Sequence, residues 1–253
     1  MLNRIIASVQ PLKTPNQDSL MMKIIACGAT VLLAGSLFAA DSGVKDEVIS
    51  AAKKLGGKAN YSWKTTVVVP ESSQFRPGPT EGKTEKDGFT CVSMRFGENT
   101  TQAILKGEKG AVTNPDGGWQ SLADLDSSEG RGRFLGMMVR NLKTPAVQAA
   151  ELAAGAKELK PEGDAYVGDL TEDAAKTLLR FRRGGDGPAA SNAKGAVKFW
   201  IKDGALAKYE FKVQGTVTFN NNDMDIDRKT TVEIKEVGTT KIEVPAEAKA
   251  KLS

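Results

Sequence analysis

Gly78-Pro79-Thr80-Glu81-Gly82-Lys83-Thr84 has the outline of a phosphate-binding loop, in which backbone amides between two glycines cradle phosphates and a lysine reaches them. Three residues separate its glycines where that loop needs four, and a hairpin pattern rather than a helix follows, so chance accounts for it better. Ser50-Ala51-Ala52-Lys53 spells the Ser-x-x-Lys of penicillin-recognising enzymes, but no Lys-Thr-Gly accompanies it and a helix surface explains it. Asp223-Met224-Asp225-Ile226-Asp227 opens like a calcium loop. It then carries Arg228 at the sixth position, where glycine must turn the chain, and Ile234 at the twelfth in place of glutamate, which fits a solvated strand face. The chain has no histidine, which removes imidazole acid/base catalysis, His-based triads and the His-Glu-x-x-His metal site together. Cys91 has no cationic neighbour at a fixed spacing to lower its pKa and reads as a packing residue. The arginines at 131, 133, 140, 180, 182 and 183 could converge on an anionic headgroup, with solvated helix ends as the simpler account. A hydrolase built on an acidic pair has no spacing to identify the pair. No catalytic residue, cofactor or metal ligand is therefore expected.

The elements that would position any site are easier to read. Asp46 to Leu55 carries Val48, Ile49, Ala52 and Leu55 at helical spacing and stops at Gly56-Gly57. Ala59 to Val69 alternates, with Tyr61, Trp63, Val67 and Val69 on one side. Phe89 to Phe96, Thr101 to Lys106 and Gly110 to Thr113 are short strands split by turn residues. Between 130 and 185 alternation gives way to helix formers. There, Phe134, Leu135, Met137, Met138, Val139 and Leu142 make one segment apolar nearly all round: a lid over a cavity would need this, and so would an ordinary core helix. Thr171-Glu172-Asp173 caps and charges the start of the last helix of this region. A second β block follows: Ala196 to Lys202, Ala205 to Val213, Thr216 to Phe219, Met224 to Glu236 and Lys241 to Val244, with Asp203-Gly204 as a hairpin turn. In it Ala207, Tyr209, Phe211 and Val213 point one way and charges the other, and Arg228 and Thr230 share a face with Met224, Ile226, Val232 and Ile234. One wall of the sheet is expected to be dry and the other wet.

The start of the chain points to export. Met22-Lys23 is a short basic region, Ile24 to Ala34 is apolar, and Leu37-Phe38-Ala39-Ala40 offers small residues for cleavage before Asp41. The apolar run falls short of the about 20 residues that span a bilayer, so no transmembrane span is expected. Residues 1–40 are assigned to an upstream segment plus signal peptide with its core at 22–40. Residues 41–253 are assigned to a single domain with a helical middle at 130–185, large enough to bury about 70% of its unfolded surface. Leu33-Ala34-Gly35-Ser36 resembles a lipobox but puts serine where the lipidated cysteine must sit, so a periplasmic or extracellular protein without a lipid anchor is expected. Cleavage would also remove Cys27, leaving Cys91 with no intramolecular disulfide partner. With 35 basic against 31 acidic residues, the balance argues for neither a nucleic-acid partner nor a strongly anionic one.

Four motifs spread along the chain carry a resemblance: Asp116-Gly117-Gly118-Trp119 after a strand, Tyr166-Val167-Gly168-Asp169-Leu170-Thr171 leading into a helix, Trp200-Ile201-Lys202-Asp203-Gly204, and Ile242-Glu243-Val244-Pro245. Together with the order helix, β block, helical middle, β meander, they resemble the LolA-like superfamily of envelope carriers. That superfamily includes the periplasmic lipoprotein carrier, its outer-membrane receptor and mycobacterial lipid-binding lipoproteins. The resemblance implies an α+β fold, a curved antiparallel sheet forming an incomplete (half) β-barrel with helices covering the concave face. It also implies acyl chains as ligands.

Two functions follow from different classes. The first is a secreted, non-enzymatic binding protein for lipid acyl chains or lipoproteins. Its groove would be lined by Tyr61, Trp63, Val67, Tyr209, Phe211, Val217 and Phe219 and closed by Phe134 and Met138. Such binding needs no catalytic motif, since each buried methylene contributes about 0.8 kcal/mol. The second is a cell-envelope interaction or sensor module with the same sheet packed solid and a protein partner outside. The volume left between sheet and helices separates them.

Overall fold

The computed structural model describes residues 36–73, 76–180, 189–219 and 222–252, with the side chains of 36–42, 131, 189 and 219 outside the description. The signal segment expected over 22–40 lies outside the described residues as far as 35. From Ser36 the backbone is already helical, in α1 (Ser36–Gly56). Among the described residues no helix is long and apolar enough to cross a membrane.

Among the described residues, eleven strands form one antiparallel sheet. After α1 come β1 (Asn60–Val68), β2 (Thr80–Glu85), β3 (Thr90–Phe96), β4 (Asn99–Lys106), β5 (Lys109–Thr113) and β6 (Trp119–Ser121), each pairing with the one before. Three helices follow: α2 (Leu122–Asp126), α3 (Arg131–Arg140) and α4 (Pro145–Ala154). The hairpin β7 (Lys160–Glu162) and β8 (Ala165–Asp169) leads to α5 (Glu172–Leu179), then the long strands β9 (Ala189–Lys202), β10 (Ala205–Phe219) and β11 (Asn222–Lys235), and the short α6 (Ala246–Ala250). The spatial order is β6-β5-β4-β3-β2-β1-β11-β10-β9-β8-β7. The first and last strands thus meet in the middle, β6 and β7 remain as free edges, and the curved sheet stays open.

Local chemistry accounts for several element ends. Asp203 (φ 54°) and Gly204 (φ 68°) are both left-handed, the geometry of a two-residue turn whose twist suits the β9–β10 hairpin. Thr171 Oγ1 accepts from the Ala174 amide at 3.2 Å, capping α5. Pro145 occupies the first turn of α4, where its missing amide hydrogen costs nothing. Ser121 and Asp124 form a reciprocal capping box at α2.

Several boundaries differ from the sequence reading. The middle region is not all helix: it carries the β7–β8 hairpin, which extends the sheet beyond β9. Thr216 to Phe219 continues β10 through an irregularity rather than starting a new strand. Lys241 to Val244 forms no ladder; Val244 instead leads into α6 on the outer face, because its neighbours there are side chains rather than a strand edge. The phosphate-loop look-alike spans β2. Gly82 pairs with Trp63, and a Cβ at 82 would lie 2.1 Å from Trp63 Cζ2, so this glycine seats an indole.

The main core lies between the inner face and the helices. Tyr61, Val92, Ala103, Val112, Phe199, Tyr209, Phe211, Val213 and Val232 come from strands, and Val48, Leu55, Val139, Ala149, Leu152 and Leu179 from helices. α1 packs on α4 and β10, and α5 packs on β9 and β10. A smaller cluster lies on the other face, where α6 places Ala248 against Ile104 and Ala111 with Phe89, Cys91, Trp119, Val244 and Leu252 around it. Cys91 is thus a packing residue, as its surroundings in sequence indicated.

Candidate functional site

The space between sheet and helices is filled only in part. A partly open cavity of about 830 Å³ lies between β1, β2, β3, β10 and β11 on one side and α4, α5 and the segment before α4 on the other. Its volume falls within the roughly 300–1,000 Å³ of small-molecule sites. Trp63, Val92, Tyr209 and Phe211 form an apolar floor, and Leu142, Leu152 and Leu178 an apolar roof. The alternation of β1 and β10 places these rings, since register pairs Tyr209 with Val232 and Phe211 with Thr230, all on the inner face.

The lining is mixed rather than wholly apolar. Thr65, Thr80 and Thr230 contribute hydroxyls, and α4 contributes Gln148 and Glu151. Glu151 is ion-paired with Lys143, which also faces the cavity. Arg180 and Arg228 face it too, and neither forms an ion pair with a carboxylate among the described residues. Arg228 Nη2 donates to the Leu178 carbonyl at 2.6 Å, meeting a backbone acceptor that the end of α5 leaves open. Burial lowers the pKa of Arg228 from its ordinary value, yet a guanidinium keeps its charge at neutral pH.

Two tyrosines fasten the roof to the floor. Tyr209, fully buried, donates to Gln148 Oε1 at 2.6 Å, and burial raises its pKa well above the ordinary 10.0, with Tyr61 adding to the shift. Burial likewise raises the pKa of Tyr61, against hydrogen bonds with the Thr144 side chain and the Ala146 backbone at the start of α4. The rings of Tyr61 and Trp63 lie 6.0 Å apart, and those of Tyr209 and Phe211 6.4 Å.

Of the residues expected in a groove, Trp63, Tyr209 and Phe211 are brought together around the cavity. Tyr61 (2% exposed) and Val217 (1%) are buried in the core beside it, Val67 is half-buried further along β1, and the side chain of Phe219 lies outside the described residues. Met138 is half-buried against the core. Phe134 is 50% exposed and lines a second cavity of about 550 Å³ with Arg133, Met137 and Arg140, next to the first through the shared Asn141. Arg140 there is paired with Asp126 at 2.5 Å. Arg228 and the threonines were not singled out from sequence as site residues. For Arg228 and Thr230 the signal was present in the phase of β11, which sends them to the same side as Ile226 and Val232.

The remaining motifs serve the scaffold. Asp223, Asp225 and Asp227 accept hydrogen bonds from Thr218, Thr216 and Gln214 across the β10–β11 pair, and no metal-binding cluster occurs among the described residues. Tyr166 donates to Glu47 of α1 at 2.7 Å. Trp200, whose Nε1 donates to Asp164, lies under the ammonium groups of Lys198 and Lys208.

Strand order and cavity together define the class: an α+β protein whose open antiparallel sheet encloses a space under its helices. No family model matches the chain, and no curated protein matches it either. Solved structures do. The lipoprotein LppX of Mycobacterium tuberculosis is 11% identical, with a TM-score of 0.44 and coverage of 81% of this chain and 100% of that one. LprF from Mycobacterium bovis is 8% identical, with a TM-score of 0.43 and coverage of 82% and 98%. Both are mycobacterial proteins.

Proposed function

We propose that this chain is an exported, non-enzymatic lipid-binding protein of the cell envelope that holds acyl chains in the cavity between its sheet and helices. The observation that carries this reading is the partly open cleft of about 830 Å³ whose apolar base includes Trp63, Val92 and Phe211, with Tyr209 packed beneath them. An acyl chain laid in it would contribute about 0.8 kcal/mol for each methylene buried. The interaction-module alternative calls for a sheet packed solid, and the open volume favours the carrier over it. The basic, apolar and small-residue segments at 22–40 support export.

Organic extraction of natively purified protein, followed by mass spectrometry, should recover lipid, and delipidated protein should take up a fluorescent fatty acid. An extract free of lipid together with no uptake of the probe would end this reading.

A further inference from the structure

We propose that the cavity takes acyl lipids with an anionic head, a carboxylate or a phosphate, and that Arg228 is the charge that receives it. This rests on the lipid-binding reading above and names the chemical class of its ligand. Among the described residues, the cavity walls hold four charged side chains: Lys143, Glu151, Arg180 and Arg228. Lys143 and Glu151 neutralise each other as an ion pair. The two arginines are left, both beside the C-terminal end of α5, so the site carries a surplus of positive charge at one end.

Arg228 is the more informative of the two. It lies on the inner face of β11, opposite Val213 and two residues from the buried Thr230. A charge on the dry face of a sheet is costly unless it is paired. The one hydrogen bond it makes among the described residues, to the Leu178 carbonyl, uses one of the five N–H groups a guanidinium carries. That bond also fixes the group in place, so a carboxylate or phosphate meets a pre-oriented fork of donors rather than a mobile chain. The acyl tail would lie over Trp63 and Phe211, which line the same space.

The test compares a fluorescent fatty acid with its methyl ester, titrated into delipidated full-length protein at pH 7 and low salt. The same tail with and without a charge isolates the head. Wild type should prefer the acid by about tenfold or more, as expected for a hydrogen bond to a charged partner. Arg228→Gln should lose the preference for the acid over the ester, and Arg228→Lys should keep part of it. Equal binding of acid and ester by wild type would overturn the proposal while leaving the lipid-binding reading intact, and that comparison stands even if both variants fail to fold. A preference that survives in folded Arg228→Gln would also overturn it. Failure of wild type to bind either probe would sink the lipid-binding reading itself. Inorganic phosphate alone, if it bound as tightly as the acid, would show that the tail adds nothing and that the site is for free anions rather than lipid heads, and would equally overturn the proposal.

Discussion

The Tyr209 hydroxyl donates to Gln148 Oε1 at 2.6 Å, joining the inner face of β10 to α4 across the edge of the cavity. It is a polar tie between the floor and the helical roof, made by a side chain whose ring is fully buried. Tyr209→Phe keeps the ring and removes the bond. Because Gln148 lines the open cavity and can turn to water, the expected loss is about 1 kcal/mol of unfolding free energy, seen as a lower urea midpoint at unchanged slope. A midpoint equal to wild type would show that the tie contributes nothing net.

Gly82 is a seat for the Trp63 ring. A Cβ at this position would meet Trp63 Cζ2 at 2.1 Å and Cε2 at 2.3 Å, well inside any real contact. Gly82→Ala must therefore displace the indole toward the cavity or bend β2, at a cost of about 1–3 kcal/mol or more. Near-ultraviolet circular dichroism should change along with stability. Unaltered spectra and stability would mean that the two strands separate freely, against the pairing described.

Alkaline stability follows from three raised pKa values. Burial, then the charge of Glu85, pushes the Cys91 thiol up to about 11, against Lys83, and burial raises Tyr61 and Tyr209 above 10.0. In each case the folded state favours the neutral form. The stability this contributes is therefore fully present below the unfolded pKa values of about 8.5 and 10 and is lost as pH rises through the folded ones. Unfolding free energy should fall progressively above about pH 9. In a Cys27→Ser background, a disulfide reagent at pH 8 should react with native Cys91 at least about a hundredfold more slowly than with the unfolded chain. Equal rates would contradict the raised thiol pKa.

The two sides of α3 should respond in opposite ways to truncation. Val139 is fully buried against the core and Phe134 is half exposed. Val139→Ala is expected to cost about 2 kcal/mol, whereas Phe134→Ala should stay within about 0.5 kcal/mol of wild type. If Phe134 nevertheless closes over a bound chain, its removal should speed probe release without changing stability, and stopped-flow displacement measures that. A large stability loss from Phe134→Ala would mean that the phenyl ring packs where the structure leaves it open.

Much of the architecture was legible in short-range pattern. The alternation of β1 and β10, the Asp203-Gly204 turn and the Thr171 cap each rest on contacts within a few residues, which is why their positions emerge from the chain alone. β2 was missed because Gly82 and Thr84 carry little hydrophobic signal, and its strand identity comes from the neighbours β1 and β3. The β7–β8 hairpin was hidden in a stretch rich in helix formers. Its pairing with β9, some thirty residues later in the chain, has no local signature.

The amino-acid order by itself determined which faces are dry, where the chain turns and that no histidine chemistry is available, because periodicity, turn propensity and composition are properties of neighbouring residues. Only the tertiary structure decided that the inner face stays partly uncovered, that Trp63, Tyr209 and Phe211 share one space, and that Arg228 lines it with no carboxylate ion-paired to it among the described residues. The reason is physical. A hollow is the volume that helices and strands fail to fill when they pack, and it depends on the distances between elements far apart in the chain, which no local pattern encodes.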